Sequence, residues 1–252
     1  MKVLITGASS GIGRDLAKEF AKRGNEIIIV ARTVSKLEEL KDELKMEYQV
    51  NVEIESVDLT NRISCINLVQ RHKDIDILIN NAGLGDFGLF DETDLEKDLT
   101  LIDTNITSLH ILTKLYLKEF KERNSGKILN VASIAGFLPG PLMATYYATK
   151  NYVVNLSESI REELKQAKSN VQISILCPGP VKTNFNNVAN VKFDLKSLSS
   201  EYVAKYTVEK FLKGKFYIIP GFMVKCGIFF QRLFSKGLVA SVVYKSQKRK
   251  EG

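Results

Sequence analysis

Short apolar runs rich in isoleucine and valine alternate along this chain with amphipathic stretches. The runs are KVLIT (2–6), EIIIVA (26–31), NVEIESV (51–57), IDILIN (75–80), GKILNVA (126–132), VQISILC (171–177) and KFYIIP (215–220). Strands apolar on both faces need cover on both, the condition of a parallel sheet. The stretches between them carry helical periodicity. Leu16, Ala17, Phe20 and Ala21 share one face after Gly13, and Leu37, Leu40 and Leu44 mark the next helix. Longer patterns run from about 95 to 120 and from about 145 to 164. Strand and helix in such alternation imply right-handed crossovers and an α/β doubly wound parallel sheet of about seven strands, with helices on both faces. No linker divides the 252 residues, so a single domain is expected. Residues 178–198 hold two prolines and no clear period, and read as a loop or substrate lid.

TGASSGIG (6–13) follows the first strand and opens the first helix. Gly7, Gly11 and Gly13 permit a tight turn on which a pyrophosphate can sit at the positive end of the helix, with Ser9, Ser10 and Ile12 beside it. That context makes a Rossmann-type dinucleotide site the expectation. The second strand ends VARTVSK, placing Arg32 nineteen positions after Gly13, with no acid until Glu38. An acid there would bind the ribose hydroxyls, whereas an arginine accommodates a 2′-phosphate, so NADP(H) is expected ahead of NAD(H).

The segment ATYYATK (144–150) sets two tyrosines beside a lysine. Only Tyr146 stands four positions before Lys150, so the two share a helix face, while Tyr147 lies one step, about 100°, round the helix. A phenol with an ordinary pKa of about 10 is a poor proton-transfer group at neutral pH, and a neighbouring ammonium should bring it closer to the working range. Ser133, thirteen positions before Tyr146, follows the fifth strand and can offer its hydroxyl to the same cleft.

TGASSGIG, NNAG (80–83), Asn105, Ser133, YYATK and PGPVKT (178–183) occur in an order and spacing that resembles the short-chain dehydrogenase/reductase family over about residues 1 to 185. The resemblance implies an oxidoreductase that interconverts a carbonyl and a secondary alcohol with NADP(H). It implies Tyr146 as acid/base, Ser133 as carbonyl-binding group, Lys150 as ribose and proton-relay residue, and Asn105 as support for a water path. It also implies cofactor contacts from Asp58, Leu59, Asn80, Ala82, Gly83, Tyr146, Lys150, Pro178, Gly179, Val181 and Thr183, and a homo-oligomer, dimer or tetramer. The family's other NADP mark, a basic residue just before the second glycine, is absent because Ser10 is there. Leu84, Phe87, Phe90 and Phe185 suggest an apolar substrate pocket.

Charge narrows the partners. Ten basic residues against one acid, Glu251, give residues 210–252 a charge of +9, and the whole chain carries +7, so the rest carries −2. A near-neutral body argues against nucleic acid as a partner. The extension 221–252 reads as an amphipathic helix with basic edges that covers the cleft, forms a subunit contact or lies on a bilayer. Its uncharged runs, 216–224 and 237–244, fall short of the roughly 20 residues a spanning helix needs. Cys65, Cys177 and Cys226 are scattered, forming neither a disulfide framework nor a metal cluster. With an opening run too short for a signal-peptide core, they make the cytoplasm the expected compartment. Two other readings stay open: a nucleotide-binding regulator without turnover, and a membrane-peripheral reductase of lipid-like substrates.

Overall fold

In the computed structural model, residues 1–183, 185 and 197–248 are described. Most of the expected lid, and the last four residues of the basic tail, lie outside them. Seven parallel strands form one sheet: β1 (Lys2–Thr6), β2 (Glu26–Ala31), β3 (Val52–Ser56), β4 (Ile77–Asn80), β5 (Lys127–Val131), β6 (Gln172–Leu176) and β9 (Tyr217–Ile218), in the order β3-β2-β1-β4-β5-β6-β9. Every strand expected from the apolar runs is present. A short parallel pair, β7 (Val181–Lys182) and β8 (Leu198–Ser199), ties together the two ends of the 178–198 segment.

The two-sided burial has a residue-level cause. Along β1, Val3 and Ile5 face one core while Leu4 faces the other; along β2, Ile27 and Ile29 oppose Ile28 and Val30 in the same way. One face is covered by α1 (Gly11–Ala21), α2 (Val34–Tyr48) and α7 (Ser200–Leu212), where the fully buried Phe20 meets Phe211 edge-on at 6.3 Å. The other is covered by α3 (Arg62–Arg71), α5 (Leu109–Glu122) and α6 (Ala144–Gln166), through Leu68, Tyr116, Phe120 and Val153. Burying one such side chain is worth about 1.5–3 kcal/mol.

Periodicity had not singled out α3 or α7. In α3, exposed Ile63 and Ile66 blur the apolar stripe of Cys65, Leu68 and Val69, and the start is marked instead by Asn61, whose side chain accepts from Ser64 N at 3.0 Å. The long helix expected over 95–120 is broken. α4 (Leu95–Ile102) passes through a π turn at Asp103–Ser108 before α5 begins. Single-turn π insertions inside α-helices occur frequently at functional sites. The strand order reverses between β1 and β4, which opens a crevice at the carboxyl ends of the strands, the place where such sheets bind ligands. Among the described residues no helix is long and apolar enough to cross a membrane, and no metal-capable cluster of side chains occurs.

Candidate active site

The crevice is a cleft of about 510 Å³ at those strand ends, lined from the glycine turn at one end to Tyr146 and Lys150 at the other. Gly7 opens the turn at φ 65°, a left-handed conformation that glycine tolerates, and a Cβ there would come within 2.8 Å of Ala82 Cα. Gly7, Ser9, Ser10, Gly11 and Ile12 line the cleft. Gly13 does not: it packs inward, where a Cβ would come within 2.4 Å of both Gly7 O and Asn81 Nδ2. Its part is to let α1 close onto the turn.

The bend after β4 is fastened to that turn. The Thr6 hydroxyl accepts from Asn81 N at 3.0 Å and Ala82 N at 3.1 Å, and Asn81 Nδ2 donates to Thr6 O at 3.0 Å and Gly7 O at 3.1 Å. Here the sequence reading needs correction by one residue. Asn80, expected among the cofactor contacts, is buried and donates instead to Thr113 Oγ1 and Asn130 Oδ1, both at 2.9 Å. Asn81, with Ala82 and Gly83, borders the cleft. Successive side chains of an extended segment point to opposite faces, and the NNAG signature gave no register to decide between them.

Arg32 and Asp58 line the cleft beyond the turn, with Leu59. The backbone N–H and hydroxyl of Thr60 donate to Asp58 at 3.0 Å and 2.8 Å and hold its carboxyl below the usual carboxylate range, with a smaller contribution from the Arg32 charge. Glu38, the first acid after the strand, is held by Lys41 at 3.1 Å.

At the other end, Ser133 follows β5. Ala132 N donates to Leu176 O at 2.8 Å and Ile134 N to Pro178 O at 3.1 Å, so the serine is pinned against the end of β6. The Asn151 amide braces the same turn from α6, donating to Ala135 O at 3.0 Å, Leu138 O at 3.1 Å and Tyr147 O at 2.9 Å. Tyr146 enters the cleft beside Phe185, ring centroids 5.5 Å apart. Burial pushes its phenol up to about 12, and a hydrogen bond from Ser133 draws it partly back. Lys150 lies with Nζ 5.8 Å from the Tyr146 ring centroid and donates to Val131 O at 3.0 Å. Burial brings its ammonium down to about 8. The expected lowering of the phenol by this lysine is therefore not found: desolvation dominates, and the hydrogen bond from Ser133 is what opposes it.

Asn105 sits in the π turn, buried and outside the cleft lining, which takes Thr104 instead. Its side chain accepts from Leu84 N at 2.8 Å and donates to Leu84 O at 2.9 Å and Thr149 Oγ1 at 3.0 Å. It makes no hydrogen bond to Lys150. The two meet only over Gly83, where an added Cβ would stand 3.3 Å from Asn105 Oδ1 and 3.3 Å from Lys150 Nζ.

Pro178, Gly179, Val181 and Thr183 line the cleft as expected, as do Leu84 and Phe185. Phe87 packs against Met143 rather than lining it, and Phe90 is 71% exposed, so the apolar wall is made by other residues. Part of it comes from the chain's end. The extension forms two helices, α8 (Phe222–Phe230) and α9 (Lys236–Lys248), in place of one, and α9 brings Val243, Ser246 and Gln247 to the cleft. Gln247 Nε2 donates to the Tyr147 hydroxyl at 2.8 Å. Tyr147 thus lines the cleft with its hydroxyl engaged, and its ring occupies the space where a Cβ on Gly140 would fall.

With this geometry in hand, comparisons place the chain among known proteins. It matches the family model described as short chain dehydrogenase over residues 1–192. It is 36% identical over 193 residues to an NADP-dependent 3-hydroxy acid dehydrogenase of Schizosaccharomyces pombe, covering 74% of this chain and 73% of that protein. It is 34% identical over 215 residues to a dehydrogenase/reductase SDR family protein 7-like of Dictyostelium discoideum, covering 81% of this chain but 64% of that longer protein. Among solved structures, a short-chain dehydrogenase from Sphingobium yanoikuyae in complex with NADPH superposes with a TM-score of 0.85 at 31% identity, covering 94% of both chains. A Burkholderia phymatum protein in complex with NAD shares the fold, with a TM-score of 0.83 at 24% identity over 92% of both chains.

Asn81 offers a test of how the turn is held. Removing its two bonds to the glycine turn in Asn81→Ala should weaken nicotinamide dinucleotide binding about tenfold, since each such bond contributes about 0.5–1.5 kcal/mol. Fluorescence titration with NADPH measures it, and circular dichroism should show an unchanged fold.

Proposed function

Since the chain belongs to the short-chain dehydrogenase family, and so to the oxidoreductases, we propose that it is an NADPH-dependent reductase of an apolar carbonyl compound. The observation that carries this reading is the convergence of Ser133, Tyr146 and Lys150 in one cleft with the glycine turn and Arg32. A pure binder of nucleotides has no use for the phenol.

The residues fit a dinucleotide phosphate. Gly7 and Gly11 leave a cradle that a side chain would fill, since a Cβ on Gly11 would come within 2.9 Å of Thr183 Cγ2. The N-terminus of α1 presents backbone N–H groups there. Arg32 is exposed at the cleft wall, where its charge acts only weakly on Asp58, and suits a 2′-phosphate. Asp58, kept ionised, suits an adenine amine, and Val181 and Thr183 suit the carboxamide end. The nicotinamide, when bound, supplies the hydride for the carbonyl carbon.

The protein's own part is binding, orientation and proton delivery. Ser133 donates to the carbonyl oxygen and fixes it beside Tyr146. The phenol, held neutral by burial, gives its proton to that oxygen as negative charge develops there. Lys150 faces the resulting phenolate with a positive charge and offers its remaining N–H donors to ribose hydroxyls. A neutral phenol beside a cation is poised to donate a proton, the state that the reductive step uses. Asn105 acts at one remove, fastening Leu84 and Thr149 so that the cleft wall and α6 keep their spacing.

Tyr146→Phe should reduce carbonyl turnover by about 100-fold or more while leaving NADPH binding nearly unchanged, because only the transferable proton is lost. Tyr147→Phe should keep most of the activity. The reverse pattern would move the acid to the other tyrosine.

NADPH should be preferred to NADH by kcat/KM, and Arg32→Asp should erode or reverse that preference. A charge-assisted contact of about 1.5–3 kcal/mol corresponds to tenfold discrimination or more. Equal kcat/KM for the two cofactors in the unmutated protein would remove Arg32 from this role.

A further inference from the structure

The outer side of the C-terminal segment is not built like the rest of the surface. Phe222 is 80% exposed, Phe229 64%, Phe230 55%, Leu233 71%, Phe234 56%, Leu238 52% and Val242 60%. These residues lie within 21 positions of one another on α8, the short turn after it, and α9. Single exposed apolar side chains are ordinary, but a concentration of this kind marks a surface that meets something apolar.

The segment is anchored from its inner side. Val224 packs against Gly179, Lys225 Nζ donates to the Tyr206 hydroxyl at 3.1 Å, and Gln247 bonds Tyr147 at 2.8 Å. On α9, Val239, Val243 and Gln247 recur every four residues and turn inward, while Leu238 and Val242 recur with the same spacing on the exposed side. One helix therefore walls the cleft with one face and shows apolar side chains on the adjoining one, about 100° round the helix. Ser246 is exposed and also lines the cleft, so the cleft mouth adjoins this surface.

Charge selects the occupant. Lys236, Lys245 and Lys248 are exposed around the apolar side chains, and the segment from 210 to 252 has a net charge of +9. A second copy docked face to face would set these lysines against their own counterparts. A bilayer with acidic headgroups complements both features, taking the phenylalanines below its headgroups and the lysines among them.

We propose that the segment 222–248 docks this protein on an anionic membrane, with the cleft mouth at the lipid surface, and that its carbonyl substrate is a bilayer-dissolved apolar molecule. The docking stands on the surface alone; the substrate class rests on the reductase reading above.

The test is flotation of the full chain with vesicles of phosphatidylcholine, with and without phosphatidylserine, at low salt. The protein should float with the phosphatidylserine vesicles and be released by high salt. Two variants outside the cleft lining report separately: F229S/F230S/L233S/F234S removes apolar anchors, and K236E/K245E reverses charge. Each should lower vesicle binding about tenfold or more, because insertion and headgroup attraction act together. Both should keep NADPH affinity and turnover of a short water-soluble ketone, while losing turnover of a long-chain ketone dissolved in the vesicles. A native protein that stays unbound on both vesicle types overturns docking, whatever its activity. A dimer in light scattering that the serine variant dissociates, without vesicle binding by the native chain, overturns it in favour of a copy-to-copy interface. Vesicle binding with equal turnover of the two ketones by native and variant protein overturns the substrate class alone. Absence of any NADPH-dependent turnover by a vesicle-bound native protein overturns the reductase reading, and the substrate class with it, but leaves docking standing.

Discussion

Lys150 carries an ammonium into a place from which water has largely been withdrawn, and among the described residues one carbonyl, Val131 O at 3.0 Å, accepts from it. A buried cation with so few partners is costly, and the cost shows as a proton held less tightly, with the pKa brought down to about 8. Much of the surrounding structure holds the space around that nitrogen. Gly83 leaves room beneath it, and the π turn carries Asn105 to the same space that a side chain on that glycine would fill. The end of β5 supplies the carbonyl. The remaining donors of the ammonium complement hydroxyl groups, which is why the proposed nucleotide and the lysine belong to one argument.

The tyrosine obeys the same physics with the opposite sign. Withdrawal of water disfavours a phenolate, so the phenol rises to about 12 while the ammonium falls. The two shifts keep Tyr146 protonated and leave Lys150 charged at neutral pH, the pairing that proton delivery to a carbonyl oxygen requires. Ser133 moderates the phenol, and Asn151, by bracing the serine turn and the Tyr147 carbonyl together, keeps that moderation in register.

Much of this was legible in the sequence wherever spacing alone decides geometry. Four residues from Tyr146 to Lys150 put both on one helix face, and a glycine turn between the first strand and helix forecast the phosphate end of the cleft. What spacing does not decide was misread. Asn80 and Asn81 are adjacent and chemically identical, and only the pleat of the strand sends the first to Thr113 and the second to the glycine turn. Asn105 sits in an insertion that a regular period cannot announce. Gln247 meets Tyr147 across 100 positions of chain, a contact no local pattern encodes. Phe90 looked like pocket lining because it is apolar, yet faces solvent.

The central claim is that the Lys150 ammonium binds the nucleotide, and its lowered pKa makes that measurable without any substrate. In the free protein the lysine is charged below about pH 8 and neutral above it. Binding that requires the charged form is strongest below that value and weakens as pH rises through it. NADPH affinity, followed by fluorescence titration between about pH 7 and pH 10, should fall toward about tenfold per unit on the alkaline side. In Lys150→Met the affinity should be weaker throughout and lose this dependence. A flat profile in the native protein, or the same alkaline fall in the methionine variant, would contradict the account.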